Sequence, residues 1–240
     1  MVLQDLFDTL AAGEFSNLAL ANSTTGSIKL EAYPKVVKAI NRSLRELYKR
    51  FVLKKKKVIL YQQAGLSRYY LRKSYRGTLG ATSADAYLVD FLEAFDDDLV
   101  RILGIKNADD LDVALNPAVV HPEQTYFTSA AHDTLDLITA KTDQSFIVQY
   151  QASYPKIVIT EDFDPETYNL YYPPFIEEAL AAYIASLLKK GKETKASEGE
   201  GYQTNTWAYK YEQACQKIVD LGLAEEVIIT NTKLDQRGFI

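Results

Sequence analysis

The chain has 240 residues, of which 47% are hydrophobic and 25% charged, and it carries a net charge of −5. That length suits one large domain or a core with an inserted subdomain, while the acidic balance argues against general nucleic-acid affinity. A single cysteine, Cys215, excludes an intramolecular disulfide, no apolar run approaches the roughly 18–20 residues of a membrane span, and no basic leader suggests a secretory signal.

Leu3, Leu6, Phe7 and Leu10 open the chain at helical spacing, and the polar turn Gly13-Glu14-Phe15-Ser16-Asn17-Leu18 follows. After the Ser/Thr/Gly stretch 22–27, Tyr33-Pro34 starts a long helix. Its apolar stripe is Tyr33, Val36, Val37, Ile40, Leu44, Leu47, Tyr48 and Phe51. The run Lys54-Lys55-Lys56-Lys57 separates that helix from Val58-Ile59-Leu60-Tyr61, a β-branched and aromatic run that predicts a strand. Tyr69-Tyr70-Leu71 is expected to be its hairpin partner, with Gly65 supplying a positive φ in the loop between them. Residues 77–86 read as a loop, and 87–98 as helical or irregular chain feeding a strand at 99–105.

Residues 125–128, 134–139 and 145–150 predict further strands in an antiparallel meander. Helices return after Pro173-Pro174, where Ile176, Leu180, Tyr183, Ile184, Leu187 and Leu188 form a stripe. The charged stretch 191–205 reads as a loop. A last helix carries Trp207, Tyr211, Ala214, Cys215, Ile218 and Leu221 on one face, and Gly222 is placed to end it. The tail contains strand-like Val227-Ile228-Ile229 and closes on polar residues, then Phe239-Ile240. The expected fold is therefore α+β: an antiparallel bundle of about four helices from 1–53 and 173–224, an inserted antiparallel β-rich subdomain at 54–172, and an extended C-terminal arm at 225–240.

Catalytic signatures are missing. His121 and His132 sit in polar turns far from Cys215, the acidic clusters lack the glycine and glutamate of a calcium loop, and no phosphate-cradling or nucleophile-elbow motif occurs. Neither a cofactor nor a metal is expected. Cys215 reads as a small hydrophobe on its helix. The seventeen tyrosines suit either surfaces buried on association or the strands of an ordinary β domain.

The Gly13–Leu18 block, the helix Ile40-Asn41-Arg42-Ser43-Leu44-Arg45-Glu46-Leu47-Tyr48-Lys49-Arg50-Phe51, the strands at 58–60 and 69–71, the helices at 174–188 and 207–219, and the terminal Arg237-Gly238-Phe239-Ile240 form an ordered set. This set resembles the head-to-tail adaptor (connector) proteins of tailed bacteriophages. The resemblance implies a virion structural protein rather than an enzyme: a ring of about twelve copies beneath the portal protein, a β domain facing a tail or nozzle protein, and DNA passing through the lumen.

By the same resemblance the C-terminal arm docks on the portal. Phe239 and Ile240 would be its apolar anchors, Arg237 a charged clamp and Gly238 a point of close approach, with Leu234 in the same arm. The run Lys54, Lys55, Lys56 and Lys57, with Arg50 nearby, reads either as a solvated guard against edge pairing or as transient, non-specific phosphate contact with that DNA. Another neck component, such as a tail-tube terminator or head-completion protein, is the next reading, and a carbohydrate-binding tail module a third.

Overall fold

A computed structural model describes residues 1–13, 20, 27–77, 86–119, 121, 123–138, 144–189 and 206–224. Where apolar residues recur at three- and four-residue spacing, the described chain forms four helices: α1 (Leu3–Ala12), α2 (Tyr33–Arg50), α3 (Glu177–Lys189) and α4 (Thr206–Asp220). A 3-10 turn at Leu30–Ala32 leads into α2, whose Pro34 occupies the first turn, where a missing amide hydrogen costs nothing. Lys49 and Arg50 in its last turn face the negative end of the helix dipole. Another 3-10 turn, Pro174–Ile176, opens α3. Gly222, at φ +62°, terminates α4. There the amides of Gly222 and Leu223 donate to the carbonyls of Val219 and Ile218 at 2.9 and 3.0 Å, satisfying two carbonyls that the helix end would leave bare.

The chain divides into two units, Met1–Val52 with Lys156–Ile240, and Leu53–Pro155. In the first unit α2 packs on α3 and α3 on α4. Val36, Ile40, Leu44, Leu47, Leu180, Ile184 and Cys215 are fully or almost fully buried there. The expected bundle of about four helices is corrected here. α1 is held by an extended segment instead: the amides of Leu3 and Gln4 donate to the carbonyls of Tyr168 and Pro165, and that of Leu170 donates to Met1. Phe7, Tyr33, Phe163 and Tyr168 follow one another beside it in tilted and edge-to-face contacts, with centroids 5.0, 6.5 and 6.0 Å apart. Residues 156–172, assigned to the insertion on sequence, therefore belong with the helices.

The second unit is one curled, mixed sheet of eight strands among the described residues, in the order β2-β7-β6-β5-β4-β8-β1-β3. The strands are β1 (Lys55–Tyr61), β2 (Arg68–Tyr70), β3 (Leu88–Asp90), β4 (Leu99–Asn107), β5 (Asp112–Leu115), β6 (Tyr126–Ala131), β7 (Thr134–Ile138) and β8 (Ser145–Ala152). Two expectations fail. The sheet is not an antiparallel meander, because β5 runs parallel to β6 through Ala114↔Tyr126 and Leu115↔Phe127. β6 and β7, joined by the tight His132-Asp133 turn, pair antiparallel, as a two-residue connection requires.

Nor is β2 the hairpin partner of β1. Both edges of β1 are taken, by β8 over seven residue pairs (Lys55↔Gln151 to Tyr61↔Ser145) and by β3. β2 pairs with β7 instead, where Arg68 clamps Asp136 through two bonds of 2.7 and 2.9 Å. Gly65 does take a positive φ, +77°, in the loop before β2.

Irregular register in β4, between Leu99 and Arg101 and between Ile102 and Gly104, gives the sheet local bends. Its two outermost strands are bridged by the chain that follows β2. The amide of Gly77 donates to Leu88 at 2.8 Å, and that of Tyr87 to Tyr75 at 3.1 Å. Tyrosine rings fill the join: Tyr87 lies 5.1 Å from Tyr69 and 4.9 Å from Tyr75, and its hydroxyl bonds both the amide and the carbonyl of Tyr70. Burial pushes the Tyr87 hydroxyl up to about 12. These tyrosines belong to the domain's own core.

Leu44 and Leu180 have no exposed surface. Replacing either by alanine is expected to cost roughly 2–5 kcal/mol, read as a lowered midpoint in urea unfolding. Near-neutral effects at both would contradict a shared helical core.

Candidate interaction surface

The lysine run is divided by the alternation of β1. Lys56 Nζ meets Asp98 Oδ2 at 2.7 Å and Glu93 at 3.5 Å, and Lys54 meets the same Glu93 at 2.9 Å. Lys57 lies over the Phe91 ring, 5.3 Å from its centroid, and Lys55 is exposed. Asp98 is the hub of this corner, since it also accepts from the Tyr150 hydroxyl at 3.1 Å, and its carbonyl accepts from the Ser153 amide at 2.6 Å. Burial opposes the charge on Lys56, but the bonds to Asp98 and Glu93 outweigh it and hold the ammonium above the usual lysine range. Three of the four ammonium groups thus sit against this unit's own 91–98 loop.

Arg50 is likewise occupied. Its guanidinium bonds Glu212 at 2.7 Å and lies over the rings of Phe51 and Tyr211, at 5.7 and 5.6 Å, tying the end of α2 to α4. Leu234, Arg237, Gly238, Phe239 and Ile240 of the expected docking arm lie outside the described residues, as does the 191–205 loop. Cys215 is buried on α4, and His132 is 3.9 Å from Asp133 in the β6–β7 turn.

A further set of cations lies on the solvent side of α2. Lys35, Lys38, Arg42, Arg45 and Lys49 are all exposed, and none has an acidic partner among the described residues. At 100° per residue they fall within about 80° of arc, a continuous basic stripe opposite the buried face. The spacing was present in the sequence at 35, 38, 42, 45 and 49. It is a weaker signal than the apolar stripe of the same helix or the compact run at 54–57, because single cations at helical spacing are common on solvated faces.

Beside this stripe runs a groove of about 580 Å³. One wall is α2, with Pro34, Lys38, Arg42 and Arg45. The other is the extended segment Lys156, Ile157, Val158 and Ile159. Asn41 fixes that segment: its side-chain amide donates to the Ile157 carbonyl, and its oxygen accepts the Ile157 amide, both at 2.8 Å. The buried Val37 and Ile157 lie beneath, whereas Val158 is 57% and Ile159 38% exposed. An apolar trough bordered by cations that have no acidic partner among the described residues, with no acid in its lining, suits an extended segment carrying both carboxylates and aliphatic side chains.

No helix among the described residues is long and apolar enough to cross a membrane, and no group of three or more His, Cys, Asp or Glu side chains among them could hold a metal ion. No protein-family profile matches the chain, and no curated protein sequence matches it.

Four carboxylates of the β unit, Glu93, Asp96, Asp133 and Asp136, are held below their ordinary range by hydrogen bonds to Lys54, Lys73, Arg72 and Arg68 respectively. With folded-state values below unfolded ones, their contribution is present above about pH 4–5 and is lost as acid protonates them. The melting temperature should therefore fall on acidification from about pH 5 to pH 3, and Asp133→Asn with Asp136→Asn should flatten that fall. An unchanged slope in the double variant would show that these pairs do not set the acid response.

Proposed function

We propose that this chain is a head-to-tail adaptor of a tailed bacteriophage, a virion structural subunit and not an enzyme. Its copies, about twelve, form a ring that joins the portal to a tail or nozzle protein, in the neck of the virion, and DNA passes transiently through the lumen. The observation that carries the reading is the match between motif order and architecture. The motifs that resemble the family's helices occur at both ends of the sequence and fall on α2, α3 and α4, and the β unit is spliced between them at residues 53–155. A net charge of −5 fits a lumen past which DNA slides without sticking.

The occupied state of Arg50, Lys54, Lys56 and Lys57 supports a structural role for those cations within the subunit, with DNA contact secondary. The docking role rests with the arm, Leu234, Arg237, Gly238, Phe239 and Ile240. These residues combine two apolar anchors with a charged clamp beyond the last helix.

Deleting residues 232–240 is expected to leave the melting temperature nearly unchanged while preventing attachment to portal-bearing capsids, read by co-sedimentation. A truncated protein that still joins capsids normally would remove the arm as docking element.

A further inference from the structure

We infer that the groove between α2 and Lys156–Ile159 receives the segment Glu225-Glu226-Val227-Ile228-Ile229 from a second copy of the chain. The groove makes two demands of an occupant. Lys38, Arg42, Arg45 and Lys156 border it without an acidic partner among the described residues, so an occupant must bring negative charge. The exposed Val158 and Ile159 and the buried floor of Val37 and Ile157 ask for aliphatic side chains as well. Duplex DNA supplies the first and not the second, because its phosphates have no use for the apolar wall.

The chain contains a short segment that meets both demands in order: two glutamates followed directly by three β-branched residues. It begins just beyond the glycine that ends α4, and its length is similar to that of the Lys156–Ile159 wall. In an extended conformation its side chains alternate, so Glu225 shares a side with Val227 and Ile229: one carboxylate can reach Arg42 or Arg45 while the aliphatic groups beside it reach the trough, and Glu226 faces the other way, toward the remaining cations of the rim. A tail from one copy in the groove of the next is a head-to-tail contact, the type that generates rings when its rotation closes. It requires neither portal nor tail protein, so its failure and that of capsid docking are separate results.

The test uses the full chain and a fluorescein-labelled peptide of residues 223–232, followed by fluorescence anisotropy. The peptide should bind saturably. Glu225→Arg with Glu226→Arg in the peptide, or Arg42→Glu with Arg45→Glu in the chain, should each weaken binding by about tenfold or more, and combining the two reversals should restore it. Both arginines are exposed, so unchanged far-UV circular dichroism will confirm that the variant folds. A peptide that does not bind the full chain, or one whose binding ignores the charge reversals, overturns the inference. Binding of a 20-base-pair duplex through the same arginines, with the peptide unbound, would make the stripe a nucleic-acid site and overturn it too.

Discussion

The pairing of β1 with β8 is the constraint on which the β unit depends. The chain enters this unit at Leu53 and leaves it at Pro155, and an insertion is compatible with a folded host only if its two ends stay close. Seven consecutive residue pairs, from Lys55↔Gln151 to Tyr61↔Ser145, together with the amide of Ala152 bonding the carbonyl of Lys54, hold them there. Val58, Leu60, Phe146, Val148 and Tyr150 on these two strands are buried in one core. This ladder occupies one edge of β1 along its whole length and β3 takes the other, so β2 pairs elsewhere, with β7. A contact of such long sequence separation is costly in loop entropy and must be repaid by the burial it organises.

Periodicity made the helices legible. The stripes at Leu3–Leu10 and Val36–Tyr48 are buried as their spacing required, as are Tyr211, Ala214, Cys215 and Ile218 of the last helix, whereas Leu221, expected on the same face, is 70% exposed past its end; Gly222 stands where a terminating glycine was expected. The strands at 58–61, 99–105 and 145–150 were also found, because β-branched and aromatic runs identify a strand without reference to its neighbours. Partner choice was not legible. It depends on which distant edge remains open, and nothing local to Tyr69 announces Leu135 as its partner. The short strands at 88–90 and 112–115 escaped for a similar reason, since three or four residues carry too little alternation to stand out.

Charge is used differently in the two units. In the β unit Lys54, Lys56, Arg68, Arg72 and Lys73 each face a carboxylate, so its basic residues are largely neutralised inside the unit. In the helical unit α2 keeps five exposed cations in line with no such partner among the described residues. A net acidic chain that nevertheless concentrates positive charge along one helix has a built-in complementarity with other surfaces of its own kind. Such complementarity acts more through register and partner choice than through raw affinity. The groove adds the apolar contact that a charged stripe alone would lack.

The chain is proposed above to be a ring-forming joint between portal and tail. The most direct measurement is the mass and rotational symmetry of the particles formed when the purified protein is mixed with a portal, read by native mass spectrometry and electron microscopy. A closed ring of about twelve copies seated on the portal is the expected result. Copies that remain single and unattached in the presence of the portal would contradict it.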